Sequence, residues 1–301
     1  MMKVTADSIR NNHTGTALTL LVLTMIAGLL LAVLLTATIT AFAGLDETAA
    51  IRCSIVLQNL LAFIVPAIFM PVMVYGKKSL ALSFGSKPRP SAFLWIILIY
   101  AVATPAINYA VDWNESLTLP DSMSSIEQWM KASEESAKAV TNKLLDADTV
   151  GGLVMNIVCM GILTGIGEEL FFRGALQNVL SGFFRSKHAA VWVSAIVFSA
   201  FHLQFYGFVP RMIMGAIFGY ALLWTGSVWV SATVHALNNI SVVVIAYLAN
   251  SGIADDSLTT IGAEDGFPLT AMMSAVLTIL LMTAFHHFLN HNQQNGKYSN
   301  N

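Results

Sequence analysis

Gly161-Ile162-Leu163-Thr164-Gly165-Ile166-Gly167-Glu168-Glu169-Leu170-Phe171-Phe172-Arg173-Gly174 is the stretch that decides the reading of this chain. It begins inside an apolar run long enough to enter a membrane and ends on two adjacent carboxylates and an arginine. An ionisable side chain at membrane depth is costly, so it is by default a candidate functional group. Residues four apart share a helix face, whereas neighbours point about 100° apart. Glu169 and Arg173 are therefore spaced as an ion pair, and Glu168 faces elsewhere, free to line a cavity. A plainer arrangement is also open, with both glutamates solvated at the membrane boundary beside Arg173.

The rest of the chain fits a membrane setting. Of its 301 residues, 56% are hydrophobic and 11% are charged, against roughly 25% charged in soluble domains. A formal net charge of −2 argues against a nucleic-acid binder, which carries a basic patch. Cys53 and Cys159 both lie in apolar runs and read as small buried hydrophobes. The expected fold is all-α: a polytopic transmembrane helix bundle of about eight spans, with one amphipathic non-cytoplasmic helix.

Outward from the central stretch, residues 1–14 are a polar N-terminal segment and 15–111 hold the first three spans: Gly15 to Gly44, Cys53 to Tyr75, and Ala92 to Val111. The first run contains Ala41-Phe42-Ala43, which resembles a signal-peptidase site, but it is longer than a usual signal core and reads as a span. Pro66 and Pro71 are expected to kink the second span, and Pro105 lies inside the third. Residues 112–150 hold eight Asp/Glu and three Lys. There Ser124-Ser125-Ile126-Glu127 fits a capping box, followed by an apolar stripe of Ile126, Trp129, Met130, Ala137, Val140 and Leu144. This helix is either a connector or a lid over the site. Residues 151–249 carry four more spans, and 250–301 an acidic loop, a last span from Phe267 to Phe285 and a polar tail.

Lys77, Lys78, Lys87 and Arg89 fall in one short loop, and Arg185 and Lys187 in another. The positive-inside rule puts both in the cytoplasm. Eight spans then place both termini there too and the acidic segments outside. The site is expected to open toward the cytoplasm.

Two later spans carry polar groups. Phe198 and His202 share a face, as do His235 and Asn239; Asn238 is too close in register to exclude. Each has a plain reading, as a satisfied core histidine or as hydrogen-bonding glue between helices. If they converge with Glu168, a carboxylate and a histidine hold and deprotonate water, while a second histidine and an amide stabilise an oxyanion. Glu168, His202 and His235 equally suit a divalent metal such as zinc with one open position. Gly161/Gly165 and Gly215/Gly219 are G-x-x-x-G pairs that let helices approach closely.

Glu168-Glu169-x-x-x-Arg173, Phe198-x-x-x-His202 and His235-x-x-x-Asn239, in that order, resemble the CPBP family of intramembrane proteases. That family includes the type II CAAX prenyl endopeptidases and the bacteriocin-processing or immunity proteins often called Abi. The resemblance covers roughly residues 150–245. It implies that Glu168 is the main catalytic carboxylate, activating water with His202. His235 and Asn239 are implied as oxyanion stabilisers, with Glu169, Arg173 and Phe198 supporting the site. The implied partners are the bilayer and a protein or peptide substrate at the membrane. Members are named both metalloproteases and glutamate-dependent proteases. A non-proteolytic immunity or scaffold role is the alternative, and a proton-relay transporter is disfavoured because no internal repeat is evident.

Overall fold

In hydrocarbon every backbone N–H and C=O must find a partner inside the protein, and uninterrupted apolar runs meet this demand by becoming helices. The computed structural model describes residues 13–76, 79, 84–253 and 268–298, the side chains of 292–298 excepted. Lys77, Lys78, Asp255, Asp256, Glu264 and Asp265 lie outside the described residues. Among the described residues there are helices and turns and no strand, only one isolated bridge between Gly85 and Ser227.

Among the described residues, seven helices are long and apolar enough to cross a membrane. They are α1 (Thr14–Ala43), α2 (Glu47–Tyr75), α3 (Pro90–Glu115), α5 (Val150–Phe183), α7 (Phe208–Thr225), α8 (Val228–Asn250) and α9 (Leu269–Tyr298). The polar tail expected after Phe285 continues as helix in α9. Two helices are shorter or amphipathic: α4 (Ser124–Leu145) and α6 (Lys187–Phe201).

The expected fifth span is cut short. At 15 residues α6 falls below the ~20 that a spanning helix needs. It stops because tertiary partners satisfy a turn at depth. His202 caps the helix, and Leu203 adopts a left-handed φ of 52°, unusual for a side chain branched at Cγ. Ser133 Oγ donates to the Leu203 carbonyl at 2.9 Å. Asn114, at the end of α3, donates to Phe205 O and accepts from Val209 N at 2.7 Å.

α4 also departs from expectation. The capping box does not form: a 3-10 turn, Asp121–Met123, precedes the helix, and Met123 occupies the cap position with no side-chain hydrogen bond. Glu127 instead pairs forward with Lys131 at 2.8 Å. Only part of the expected apolar stripe is packed: Ile126, Trp129 and Val140 are exposed, Met130 and Ala137 are half-buried, and Leu144 is buried together with Glu134, which lies outside the stripe. The reason lies in what α4 rests on, which is the polar end of the bundle. Ser133 holds the α6–α7 turn, Lys138 bonds Glu115 at 2.9 Å, Lys143 pairs with Glu47 at 3.0 Å and Asn250 donates to Leu145 O at 2.9 Å. The Glu115 hydrogen bond raises the Lys138 pKa above its ordinary value.

α5 is one continuous helix of uneven winding. It is π-wound over Ile157–Leu163 and Leu170–Gln177, and the α-helical turn Thr164–Glu169 between them carries the carboxylates. π-turns cluster at functional sites because they re-aim side chains without breaking the helix. Freed carbonyls find partners, as where Ser194 Oγ donates to Phe172 O at 2.9 Å.

Gly161 and Gly165 seat α5 against α8. A Cβ on Gly165 would lie 2.7 Å from the backbone nitrogen of Ala236, a neighbour that cannot rotate away. Gly165→Ala is therefore expected to destabilise the protein by about 1–3 kcal/mol through overpacking. Thermal unfolding in detergent checks this, with Gly151→Ala as control because open space surrounds that position. An unchanged midpoint for Gly165→Ala would contradict the close approach.

The bundle has two chemically distinct ends. One gathers the loops carrying Lys87, Arg89, Arg185 and Lys187, with Ser86 N donating to Gly226 O at 2.6 Å. The other gathers Glu47, α4, the α6–α7 turn and Asn250.

Candidate active site

The site begins as a buried ladder on α5. Glu169, Arg173 and Gln177 recur every four residues, and all are within 3% of full burial. Arg173 Nη1 meets Glu169 Oε1 at 2.6 Å. Its Nη2 donates to Gly215 O at 3.0 Å, and Gln177 Nε2 donates to Gly219 O at 3.0 Å. The second glycine pair thus does more than let helices touch. A Cβ on Gly215 would sit 3.1 Å from Arg173 Nη2, and one on Gly219 would sit 2.8 Å from Gln177 Oε1. Glycine brings the α7 carbonyls within reach of two buried donors.

Aromatic rings close this pair from lipid. The Arg173 guanidinium lies 4.4 Å above the Phe198 ring and 5.4 Å from Phe218. Desolvated cation–π contacts of this kind stabilise by about 2 kcal/mol. Phe218 also stacks on His235, with centroids 5.1 Å apart.

His235 joins the strut to the second carboxylate. Its Nδ1 lies 3.0 Å from Glu169 Oε1. A carboxylate held by arginine only accepts, so Nδ1 carries the proton and the Nε2 edge is turned outward. That Nε2 lies 3.7 Å from Glu168 Oε2. His202 repeats the arrangement from α6: its Nδ1 is 2.9 Å from Phe198 O, and its Nε2 is 3.9 Å from Glu168 Oε1. Glu168 Oε2 accepts from no protein donor. Both gaps exceed a direct hydrogen bond, a separation that a water or a substrate atom bridges.

Asn239 completes the ring of candidates. Its Nδ2 donates to Met160 O at 3.1 Å, and its Oδ1 accepts from Asn238 at 2.9 Å. Asn238 in turn accepts from the Tyr100 hydroxyl, so it orients Asn239 from behind. Glu168, His202 and Asn239 share a cavity of about 550 Å³. A neighbouring cavity of about 450 Å³ adds His235, Glu134, Lys138 and Arg211. A larger, mainly apolar groove of about 700 Å³ between α3, α7 and α9 holds none of the four candidates, although His286 is in its lining.

The two polar cavities lie at the end of the bundle away from the basic loops, which the positive-inside rule assigns to the cytoplasm. Both polar cavities are lined by α4 and the α6–α7 turn, through Ala137, Thr141, Lys138 and Gln204. That is the acidic end. Toward the basic end the space is filled by the apolar cluster of Phe171, Phe172, Leu176, Val179, Leu180 and Val228. Spacing put Glu168 in mid-span but said nothing of which side is packed.

Four side chains went unnoticed in the sequence. Gln177 is readable in hindsight as the next step of the Glu169–Arg173 period. Phe218 and Tyr100 carry no local signal. Arg211, whose hydrogen bonds both go to Gln204, is legible as a cation near the start of an apolar helix.

Residues 150–241 match the family model described as Type II CAAX prenyl endopeptidase Rce1-like. This is the family that the three motifs resemble. The Rce1-like segment covers less than a third of the 301 residues, and it contains all four candidate residues. No curated protein and no solved structure matches the chain. The Rce1-like segment supports a protease of the CAAX type, embedded in a membrane.

His202 and His235 approach different oxygens of Glu168. Among the described residues no three His, Cys, Asp or Glu side chains are grouped as metal ligands.

Proposed function

We propose that this protein is an intramembrane endopeptidase in which Glu168 and His202 activate water, while His235 and Asn239 stabilise the oxyanion. One observation carries the reading: two imidazole Nε2 edges from different helices face the two oxygens of one buried carboxylate, at 3.7 and 3.9 Å, beside a polar cavity. Polar groups at membrane depth in such a constellation are hard to explain by packing alone.

In this reading water sits between Glu168 and His202. Glu168 accepts its proton as the oxygen attacks the scissile carbonyl, forming a C–O bond. The oxyanion is met by Asn239 Nδ2–H and His235 Nε2–H. Because His235 Nδ1–H is committed to Glu169, Nε2 donates only from the doubly protonated ring. The C–N bond then breaks, and Glu168 returns the proton to the leaving amine. The products are a carboxylate and an amine. Water is activated by protein groups alone.

Two measurements test this in purified protein, using a peptide the wild type cleaves. His202→Gln is expected to lower kcat by about 10²–10³ with little change in KM, the size of a positioned acid–base partner. A strong divalent chelator is expected to leave the rate unchanged. Loss of activity on chelation, restored by zinc, would replace this chemistry with metal-activated water.

A further inference from the structure

The cavity and the basic loops lie at opposite ends of the bundle, and this bears on where the substrate comes from. On the basic side, Lys87 and Arg89 precede α3, while Arg185 and Lys187 lie between α5 and α6. Lys77 and Lys78 belong to the same loop as Lys87 in sequence, and neither loop contains an acidic residue. At the cavity end, residues 112–150 carry eight acids against three lysines, and the loop after α8 carries Asp255, Asp256, Glu264 and Asp265 with no Lys or Arg. Excess Lys/Arg in short loops marks the cytoplasmic side.

Several elements line the two polar cavities with residues from the end away from the basic loops. α3 contributes Val111 and Glu115, at its C-terminal end; α4 contributes Glu134, Ala137 and Lys138. α8 contributes Val242, seven residues beyond His235 and farther from the basic end. The α6–α7 turn contributes Gln204, Tyr206 and Gly207. Between Glu168 and the basic loops stand the buried strut and the rings of Phe63, Phe171 and Phe172, centroids 5.1–6.0 Å apart. Among the described residues, none from the basic loops lines either cavity.

We infer that the cavity is entered from the non-cytoplasmic face, beneath α4, and that its substrates are peptide segments emerging from or lying on the outer face of the membrane. This rests on the proteolytic reading for the chemistry, but the sidedness stands on charge and packing alone. A peptide approaching along the outer interface meets α4 first. The straps that hold α4, Lys138 to Glu115 and Lys143 to Glu47, are exposed pairs and therefore weakly held.

Sidedness is read on the wild-type protein with its own lysines. Intact cells are treated with a membrane-impermeant amine reagent, and labelled positions are mapped by mass spectrometry before and after permeabilisation. Lys131, Lys138 and Lys143 are about half exposed, and Lys87 and Lys187 are exposed. The expected result is labelling of the α4 lysines in intact cells and of Lys87 and Lys187 only after permeabilisation. The reverse pattern, or labelling of both groups from outside, overturns the inference. Thr141→Cys, with Cys53 and Cys159 replaced by alanine, reports on the mouth itself. It is expected to react with an impermeant maleimide from outside, and protection there, with α4 labelled, overturns entry beneath α4. The substrate class is read by comparing fragments in membranes holding wild-type or Glu168→Gln protein. New termini should map to non-cytoplasmic segments; termini in cytoplasmic segments overturn the assignment. Absence of any Glu168-dependent fragment sinks the proteolytic reading and the substrate class with it, leaving the labelling result intact.

Discussion

Glu168→Gln lowers kcat for peptide cleavage by about 10⁴-fold or more, at the upper end of what a positioned acid–base group contributes, and leaves the thermal midpoint nearly unchanged. Both halves follow from the site. The amide keeps the size of the carboxylate but binds no proton from water. The fold is spared because Glu168 lies at the cavity wall, no closer than 3.7 Å to either histidine, so the substitution breaks no close ion pair. Glu168→Asp is expected to be intermediate, since it keeps the charge and withdraws it by one methylene from both Nε2 edges. The measurement is single-turnover cleavage in detergent alongside thermal unfolding. Cleavage at the wild-type rate would remove Glu168 from the mechanism. A non-proteolytic immunity or scaffold role predicts a different pattern: no cleavage by the wild type, and a cellular phenotype that Glu168→Gln leaves intact.

Glu169→Ala fails for the opposite reason. It strands Arg173, whose side chain is fully buried, with one backbone carbonyl and two aromatic faces as its remaining partners. Removing one member of a buried pair costs about 3–5 kcal/mol, because the other is left uncompensated. The expected result is a large fall in thermal midpoint or loss of folded protein on expression. Arg173→Leu should behave alike. Glu169→Gln/Arg173→Met, which removes both charges with similar volume, should recover much of the stability. It should not recover activity, because His235 loses the carboxylate that holds its Nδ1–H. Additive effects of the two single substitutions would mean that the 2.6 Å pair is not energetically coupled.

These variants separate two adjacent glutamates that composition cannot tell apart. Helical spacing paired Glu169 with Arg173 and turned Glu168 elsewhere, and the geometry agrees, although Arg173 lies in a π-wound turn. Spacing also placed Phe198 with His202, whose ring nitrogen bonds the Phe198 carbonyl. It failed where the partner is remote in sequence. Nothing near Ser124 signals that a preceding 3-10 turn displaces the capping box, and nothing in α4 signals that Glu134 is buried beside Leu144. A local pattern reports which face is apolar, not what surface that face will meet.

The sequence by itself determined the all-α membrane fold, most of the spans, the basic and acidic ends, and the polar residues that line the central cavities. These follow from local quantities: apolar length against bilayer thickness, helical period, and charge in short loops. Tertiary structure alone decided that α6 stops at His202, that His235 bridges the two glutamates, and that the polar space opens beneath α4. Each of these depends on side chains far apart in the chain, such as Asn114 holding the α6–α7 turn or Phe63 sealing the layer below Glu168. Such pairings are set by how helices pack in three dimensions, and no single segment encodes them.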